Sequence, residues 1–246
     1  MSEIIRLSKF KLSIQNNSED RVLIDNTKSL VDFVVNEKDL VIVVGRNGSG
    51  KSTLLKKIIG LNTINHNDVK LEYDSFKFNG IECINNIKDN VAVALNDSDL
   101  KLILDESMSV KAFLKDTLLG NYKEYQDEIN EYLELFYGKN NNILKKKISK
   151  LSSGEQKKLS IISAVIKKNK SIYFFDEPMN CLDVDSMITF LNVIKELQGR
   201  EPNSAIIIIT HCLLFDKPNY VYKIYNKELI NYTDNYHKKD CLEEFN

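Results

Sequence analysis

Apolar residues follow two rhythms along this chain. In the N-terminal part they come in short alternating or continuous segments, Ile4–Ile14, Val22–Ile24, Leu30–Val35 and Leu40–Val44, which predict strands. The last is almost entirely β-branched, as a strand covered on both faces requires. Glycines follow, and then Leu54, Leu55, Ile58, Ile59 and Leu61 recur at helical spacing across Ser52–Leu61. Lys70–Tyr73, Phe76–Asn79 and Val91–Leu95 predict further strands.

The texture changes between Ser107 and Lys147. Phe113, Leu114, Leu118, Ile129, Leu133 and Phe136 are spaced for helices among polar and charged residues, which predicts an inserted helical subdomain. From Gly154 the pattern predicts a helix to about Lys168, a strand over Ser171–Phe175, a helix over Asp183–Leu197 and a strand over Ala205–Ile209. Such alternation implies parallel strands joined by crossover helices, an α/β fold. Val221–Tyr225 and Glu228–Tyr232 predict a closing hairpin.

Composition narrows the function. The chain has 246 residues, enough for one large domain or a domain with a subdomain. Its 34 basic and 35 acidic side chains leave a net charge of −1, which argues against a dedicated nucleic-acid binder. No apolar run approaches the ~20 residues that span a bilayer, and Met1–Arg6 lacks a signal-peptide layout. The expectation is a cytoplasmic protein, peripheral to a membrane only through something else. Cys83, Cys181, Cys212 and Cys241 are scattered and read as free thiols; His237 and Cys241 share a helical spacing but fall short of a metal ligand set. Lys145–Lys147 with Lys150 reads as a solvated edge, with phosphate or lipid contact as the alternative. The tyrosines Tyr220, Tyr222, Tyr225, Tyr232 and Tyr236 read as packing or snorkelling rather than base binding.

Two segments carry chemistry on their own. Gly45-Arg46-Asn47-Gly48-Ser49-Gly50-Lys51-Ser52-Thr53 fits the phosphate-loop pattern G-x-x-x-x-G-K-S/T between an apolar strand and a helix. Its glycines let backbone N–H groups face phosphate oxygens, and the helix beginning near Ser52 adds its positive end. Lys51 is placed to reach the β- and γ-phosphates, and the Ser52 hydroxyl to ligate Mg²⁺. The strand Ser171–Phe175 delivers Asp176 and Glu177 at its carboxyl end, where ligands collect in open α/β sheets. Asp176 suits Mg²⁺, held through water, and Glu177 suits the orientation or deprotonation of an attacking water.

A third segment turns a nucleotide binder into a particular kind of ATPase. Leu151-Ser152-Ser153-Gly154-Glu155 resembles LSGGQ, departing at its third and fifth positions; Met179–Asp183 resembles a D-loop; Ile206–Ile209 leading into Thr210-His211 resembles a switch-histidine strand. With the phosphate loop and Asp176-Glu177, these motifs stand in the order of the nucleotide-binding domain of ATP-binding cassette (ABC) proteins, a resemblance covering about residues 20–232. By itself, Ser-Ser-Gly-Glu is also an ordinary capping-box helix start.

The resemblance implies one nucleotide-binding domain over residues 1–246. It has a P-loop NTPase core of mostly parallel sheet, an N-terminal antiparallel β subdomain and a helical insertion at about 97–153. It implies ATP and Mg²⁺ as ligands, and a homo- or heterodimer packed head to tail, with each ATP between one phosphate loop and the partner's Ser152–Glu155 segment. On that pattern Ser152 and Gly154 contact the γ-phosphate bound across the interface, with Ser153, Glu155 and the D-loop Asp183 beside it. The resemblance likewise implies that His211 contacts the γ-phosphate and that separate membrane-spanning permease subunits perform transport.

Two positions depart from the family pattern. Asn96 stands where a Gln normally touches Mg²⁺ and the membrane partner, keeping the amide but one methylene shorter. No aromatic residue precedes Val22 to stack on adenine: the residues there are Asn16, Asn17, Ser18, Glu19 and Asp20, with Phe10 as the nearest substitute. The favoured reading is an ATPase subunit driving a membrane transporter, with the short tail after His211 pointing to export of a peptide or drug. A soluble translation- or repair-type cassette is the alternative, disfavoured by the single cassette and near-zero charge. A slow regulatory cassette is a third reading, drawn from Asn96 and the missing aromatic.

Overall fold

A computed structural model describes residues 2–15, 20–61, 68–82, 87–96, 99–100, 105–119, 121–211 and 213–237. Cys83, Cys212, Cys241 and Asn16–Glu19 lie outside the described residues. The segment Ile4–Ile14 divides at Lys9, whose φ of 43° turns the chain between β1 (Glu3–Ser8) and β2 (Lys11–Ile14). The two halves enter different antiparallel sheets. One has the order β4-β1-β7-β8, built with β4 (Phe33–Asn36), β7 (Ser75–Phe78) and β8 (Ile81–Glu82). The other has the order β3-β2-β6, with β3 (Arg21–Asp25) and β6 (Val69–Glu72).

The central sheet has the order β13-β12-β5-β11-β10-β9. Its members are β5 (Leu40–Gly45), β9 (Val91–Ala94), β10 (Ile172–Asp176), β11 (Ala205–Ile209), β12 (Tyr220–Tyr225) and β13 (Glu228–Asn231). All neighbouring pairs are parallel except the closing β12–β13 hairpin. Helix α1 (Lys51–Ile59) follows β5; α2 (Val110–Thr117) and α3 (Gln126–Tyr137) form the helical insertion; α4 (Ser153–Val165) and α5 (Val184–Arg200) flank β10 in sequence.

Both faces of the central sheet are covered, which is why its strands read as unbroken apolar runs. Leu40, Ile42 and Val44 pack in one core with α4, α5 and the insertion residues Leu114, Ile129 and Phe136. Val41 and Val43 point the other way, into a core shared with α1 and the N-terminal sheets. The tyrosines near the C-terminus divide. Tyr222 is buried with its hydroxyl donating to the Val34 carbonyl, and Tyr236 donates to the Phe215 carbonyl, burial raising its pKa to about 12. Tyr225 stays half exposed. Lys145–Lys147 and Lys150 are exposed.

The helical insertion is tied to the core through Arg200, the last residue of α5. Its guanidinium lies 2.5 Å from Glu128 Oε1, donates to the Tyr132 hydroxyl at 2.8 Å, and caps the Val165 carbonyl at the end of α4. Arg200 and Glu128 side chains are only 22% and 19% exposed, so their pairing is weakly screened. Arg200→Ala leaves Glu128 and the Val165 carbonyl without this partner and is expected to cost about 2–3 kcal/mol in urea unfolding. A loss below about 0.5 kcal/mol, the level of an ordinary surface pair, would remove this tie from the account.

Candidate functional site

The parallel register sets the site. Ile209 of β11 pairs with Asp176 of β10 and with Val43 of β5, so the carboxyl ends of three adjacent strands finish at one edge. The loop after β5, the Asp176-Glu177 pair, Asn96 after β9 and His211 after β11 all emerge there, although they are distant in sequence.

After β5 the chain turns through Gly48 (φ 75°) and Gly50 (φ 98°), left-handed conformations that side chains disfavour. A Cβ at Gly50 would also sit 3.2 Å from Leu23 Cβ, against which the loop packs. Gly50 is the N-cap of α1 and supplies no side-chain cap, so the first N–H groups of the helix face outward as anion donors. The Ser49 hydroxyl is buried with no hydrogen-bond partner among the described residues, a group that a phosphate oxygen would satisfy. Arg46 and Asn47 are exposed at the tip of the loop. Lys51 Nζ donates to the carbonyls of Gly45 (2.6 Å) and Arg46 (3.1 Å). Burial pushes its pKa down, while Glu177 and Asp176 push it up, with a net lowering.

Asp176 is fully buried and its two oxygens have separate partners. Ser52 Oγ donates to Oδ1 at 2.7 Å. Asn96 Nδ2 donates to Oδ2 at 2.7 Å, and Lys56 Nζ lies 3.2 Å from the same oxygen. The Ser52–Asp176 pair offers hard oxygen donors of the kind Mg²⁺ takes, alongside phosphate and water. Asn96 therefore reaches this site despite its shorter side chain, through the Asp176 carboxylate. Thr53 follows Ser52 in the first turn of α1.

Glu177 adopts a left-handed φ of 49°, rare for a residue with a side chain, and its N–H donates to the Ile209 carbonyl at 3.0 Å. Its Oε1 lies 2.9 Å from His211 Nε2, with side chains 13% and 28% exposed. The pair forms a carboxylate–imidazole dyad at the rim of the phosphate loop, able to accept a proton and to orient the group that gives it.

Residues Ser152–Glu155 and Asp183 form a second group. Ser152 is the N-cap of α4, its hydroxyl accepting from Glu155 N–H (3.2 Å), while Glu155 Oε2 accepts from Ser152 N–H (2.8 Å): a complete capping box. Glu155 Oε1 pairs with Lys146 at 3.0 Å, so this carboxylate is engaged through both oxygens. Ser152 and Ser153 stay exposed, and the Ser152 hydroxyl keeps its own proton available to donate. A Cβ at Gly154 would come 2.7 Å from the Cys181 carbonyl, so the helix start abuts the segment that follows Glu177. Asp183 caps α5: its Oδ1 accepts from the Ser186 hydroxyl (2.7 Å) and N–H (2.8 Å), and its Oδ2 pairs with Lys158 (3.0 Å). The Ser186 hydrogen bonds, with Lys158, hold its pKa well below the carboxylate range.

One sequence expectation is overturned, and two residues of the site carry no sequence signal of their own. Phe10, the substitute surface for a base, is fully buried in the core and cannot face a ligand. Lys56 and Asp99 were missed. Lys56 lies one helical turn after Ser52 and so shares its face, a spacing that pointed at Asp176; it ion-pairs with both Asp176 and Asp99. Asp99 lies three residues after Asn96, and its N–H donates to Asn96 Oδ1 at 3.0 Å.

Comparisons with known proteins show what the chain is similar to. The family model described as ABC transporter matches residues 29–180. The lipoprotein-releasing system ATP-binding protein LolD of Buchnera aphidicola is 28% identical over 206 residues, covering 82% of this chain and 87% of that protein. The energy-coupling factor transporter ATP-binding protein EcfA of Malacoplasma penetrans is 28% identical over 198 residues, covering 80% and 67%. Among solved structures, an ATP-binding subunit of an ABC transporter aligns with a TM-score of 0.71 at 20% identity, over 92% of this chain and 88% of that one. A dimeric ATP-binding cassette in a post-hydrolysis state, bound to ADP and Pi, aligns with a TM-score of 0.71 at 16% identity, over 97% and 99%. At these identities the structures speak to the fold alone.

Proposed function

The chain belongs to the ABC transporter family, and from that premise we propose that it is an ATP-hydrolysing subunit that works as a dimer and drives separate membrane-spanning permease subunits. The observation that carries the residue roles is the convergence of Lys51, Ser52, Asp176, Glu177 and His211 at one sheet edge. The N–H groups of the loop from Gly45 to Thr53 hold the phosphates of ATP, and Lys51 leaves the Gly45 and Arg46 carbonyls to bridge the β- and γ-phosphates. Ser52 and Asp176 would hold Mg²⁺, with Asn96 fixing the Asp176 carboxylate. When bound, the cation neutralises charge on the β- and γ-phosphates. Glu177 accepts the proton of the attacking water; His211 orients Glu177 and faces the γ-phosphate.

In the dimer, the exposed Ser152 and Ser153, Gly154 and the N–H groups at the start of α4 close over the γ-phosphate of the partner. Glu155 and Asp183 act by holding helix starts in place, since their oxygens are engaged there. Among the described residues no helix is long and apolar enough to cross a membrane; in this reading the chain sits at the cytoplasmic face through the permease. The two reported relatives are named for lipoprotein release and for an energy-coupling factor transporter, not for peptide or drug export. The cargo and its direction are therefore assigned to the permease.

Equilibrium binding tests the nucleotide assignment. Lys51→Ala is expected to weaken ATP binding about 10–100-fold, the worth of one charge-assisted contact, with urea unfolding unchanged or improved because a buried ammonium is removed. Unaltered ATP affinity in that variant refutes the phosphate-loop role. A permease-driving role predicts ATP turnover that rises when the cognate membrane subunits are added in detergent or vesicles.

A further inference from the structure

Asp176 and Asp99 share the buried ammonium of Lys56. Lys56 is 3% exposed, its Nζ lies 3.2 Å from Asp176 Oδ2, and it is also ion-paired with Asp99, whose side chain is 12% exposed. Asp99 is held by its N–H on Asn96 Oδ1, and Asn96 Nδ2 donates to Asp176 Oδ2. The four side chains thus form one connected group with two carboxylates and one ammonium. The oxygen that faces Lys56 is not the one that accepts from Ser52.

A buried carboxylate with no counter-charge is strongly unfavourable. Lys56 supplies that charge to Asp176, and the same positive charge repels a divalent cation approaching the Ser52 side of the carboxylate. Asp99 offers Lys56 a second anionic partner within the same network. We propose that Lys56 and Asp99 are a positioning pair that sets the Mg²⁺ affinity of the nucleotide site, Asp99 drawing Lys56 off Asp176 as the metal takes its place. This rests on the assignment of Ser52 and Asp176 to Mg²⁺. A plain staple joining α1 to the segment after β9 would not sort variants by charge; an exchange of counter-ions does.

The test is a calorimetric titration of Mg²⁺ into the full chain saturated with ATP, with ATP binding in EDTA as the reference. Asp99→Asn removes one negative charge and leaves Lys56 committed to Asp176, so Mg²⁺ affinity falls about tenfold or more. Lys56→Met removes the competing charge, so Mg²⁺ affinity rises by a similar factor. The double variant Lys56→Met/Asp99→Asn restores the original net charge and returns the affinity to within about threefold of the parent. Affinity for ATP in EDTA changes far less in all three. If Lys56→Met does not fold, Asp99→Asn against the double variant carries the comparison. Loss of Mg²⁺ affinity in Asp99→Asn that persists undiminished in the double variant, equal losses in both single variants, or no change in Asp99→Asn overturns the proposal. A parent chain that binds ATP equally well with and without Mg²⁺ instead refutes the Mg²⁺ assignment itself, and the pair with it.

Discussion

Glu177→Gln is expected to lower ATP turnover by about 10²–10⁴-fold, the usual contribution of a positioned general base, while ATP affinity stays within about threefold. The amide preserves size and can still hydrogen-bond to His211, so the left-handed turn at Glu177 and the dyad geometry survive. What is lost is the ability to accept a proton. Phosphate release measured alongside equilibrium ATP binding separates the two effects. A variant that hydrolyses ATP at the parental rate would remove Glu177 from the chemistry. A variant that loses ATP affinity in proportion to turnover would mean that its role is to bind.

The second large effect concerns the dimer. Gly154→Asp places both a Cβ and a negative charge at a position where a Cβ alone would come 2.7 Å from the Cys181 carbonyl. The start of α4 then repels a phosphate where it now offers N–H donors. Homodimers of this variant should show turnover at least about 10²-fold below the parent, the cost of losing a preorganised donor set. The phosphate loop of the same chain serves the other composite site, and ATP affinity within about threefold of the parent is the control that the push on the Cys181 carbonyl has not reached that site. Mixing Gly154→Asp chains with Glu177→Gln chains should therefore recover activity from two inactive proteins. In a mixed dimer one site has an intact Glu177 from the first chain and an intact Gly154 from the second. With random pairing the mixture approaches about a quarter of parental turnover, since half the dimers each carry one good site. No recovery on mixing would sink the head-to-tail arrangement, because residues acting within one subunit cannot complement each other.

The residues behind these two effects differ in how strongly the local sequence marks them. Glu177 was legible because an apolar, largely aromatic strand ends just before it, and because strand ends in parallel sheets face ligands. The phosphate loop was legible because its glycines and Lys51-Ser52 stand at fixed spacing between a strand and a helix. The helix at Ser153 was legible from its capping box, although the same pattern serves any helix start. Lys56 and Asp99 were not legible in this way. Their chemistry lies in a buried ion pair 43 residues apart, and a Lys beside Lys57 in the last turn of α1 looks like a side chain reaching for solvent. Phe10 failed in the opposite direction: an aromatic residue near a loop reads as available, yet here it fills the core.

By itself the sequence determined the order of strands and helices, the phosphate loop and the carboxylates at the strand end. Hydrophobic period, glycine spacing and capping are local properties, written within a few residues of one another. Which polar groups share a partner emerges only once the chain is folded. Folding joined Ser52, Asn96 and Lys56 on Asp176, put His211 on Glu177, spent Glu155 and Asp183 on helix caps, and set Gly154 against Cys181. The physical reason is that hydrogen bonds and ion pairs act over about 3 Å between atoms brought together by sheet register, and register joins segments without regard to their separation along the chain.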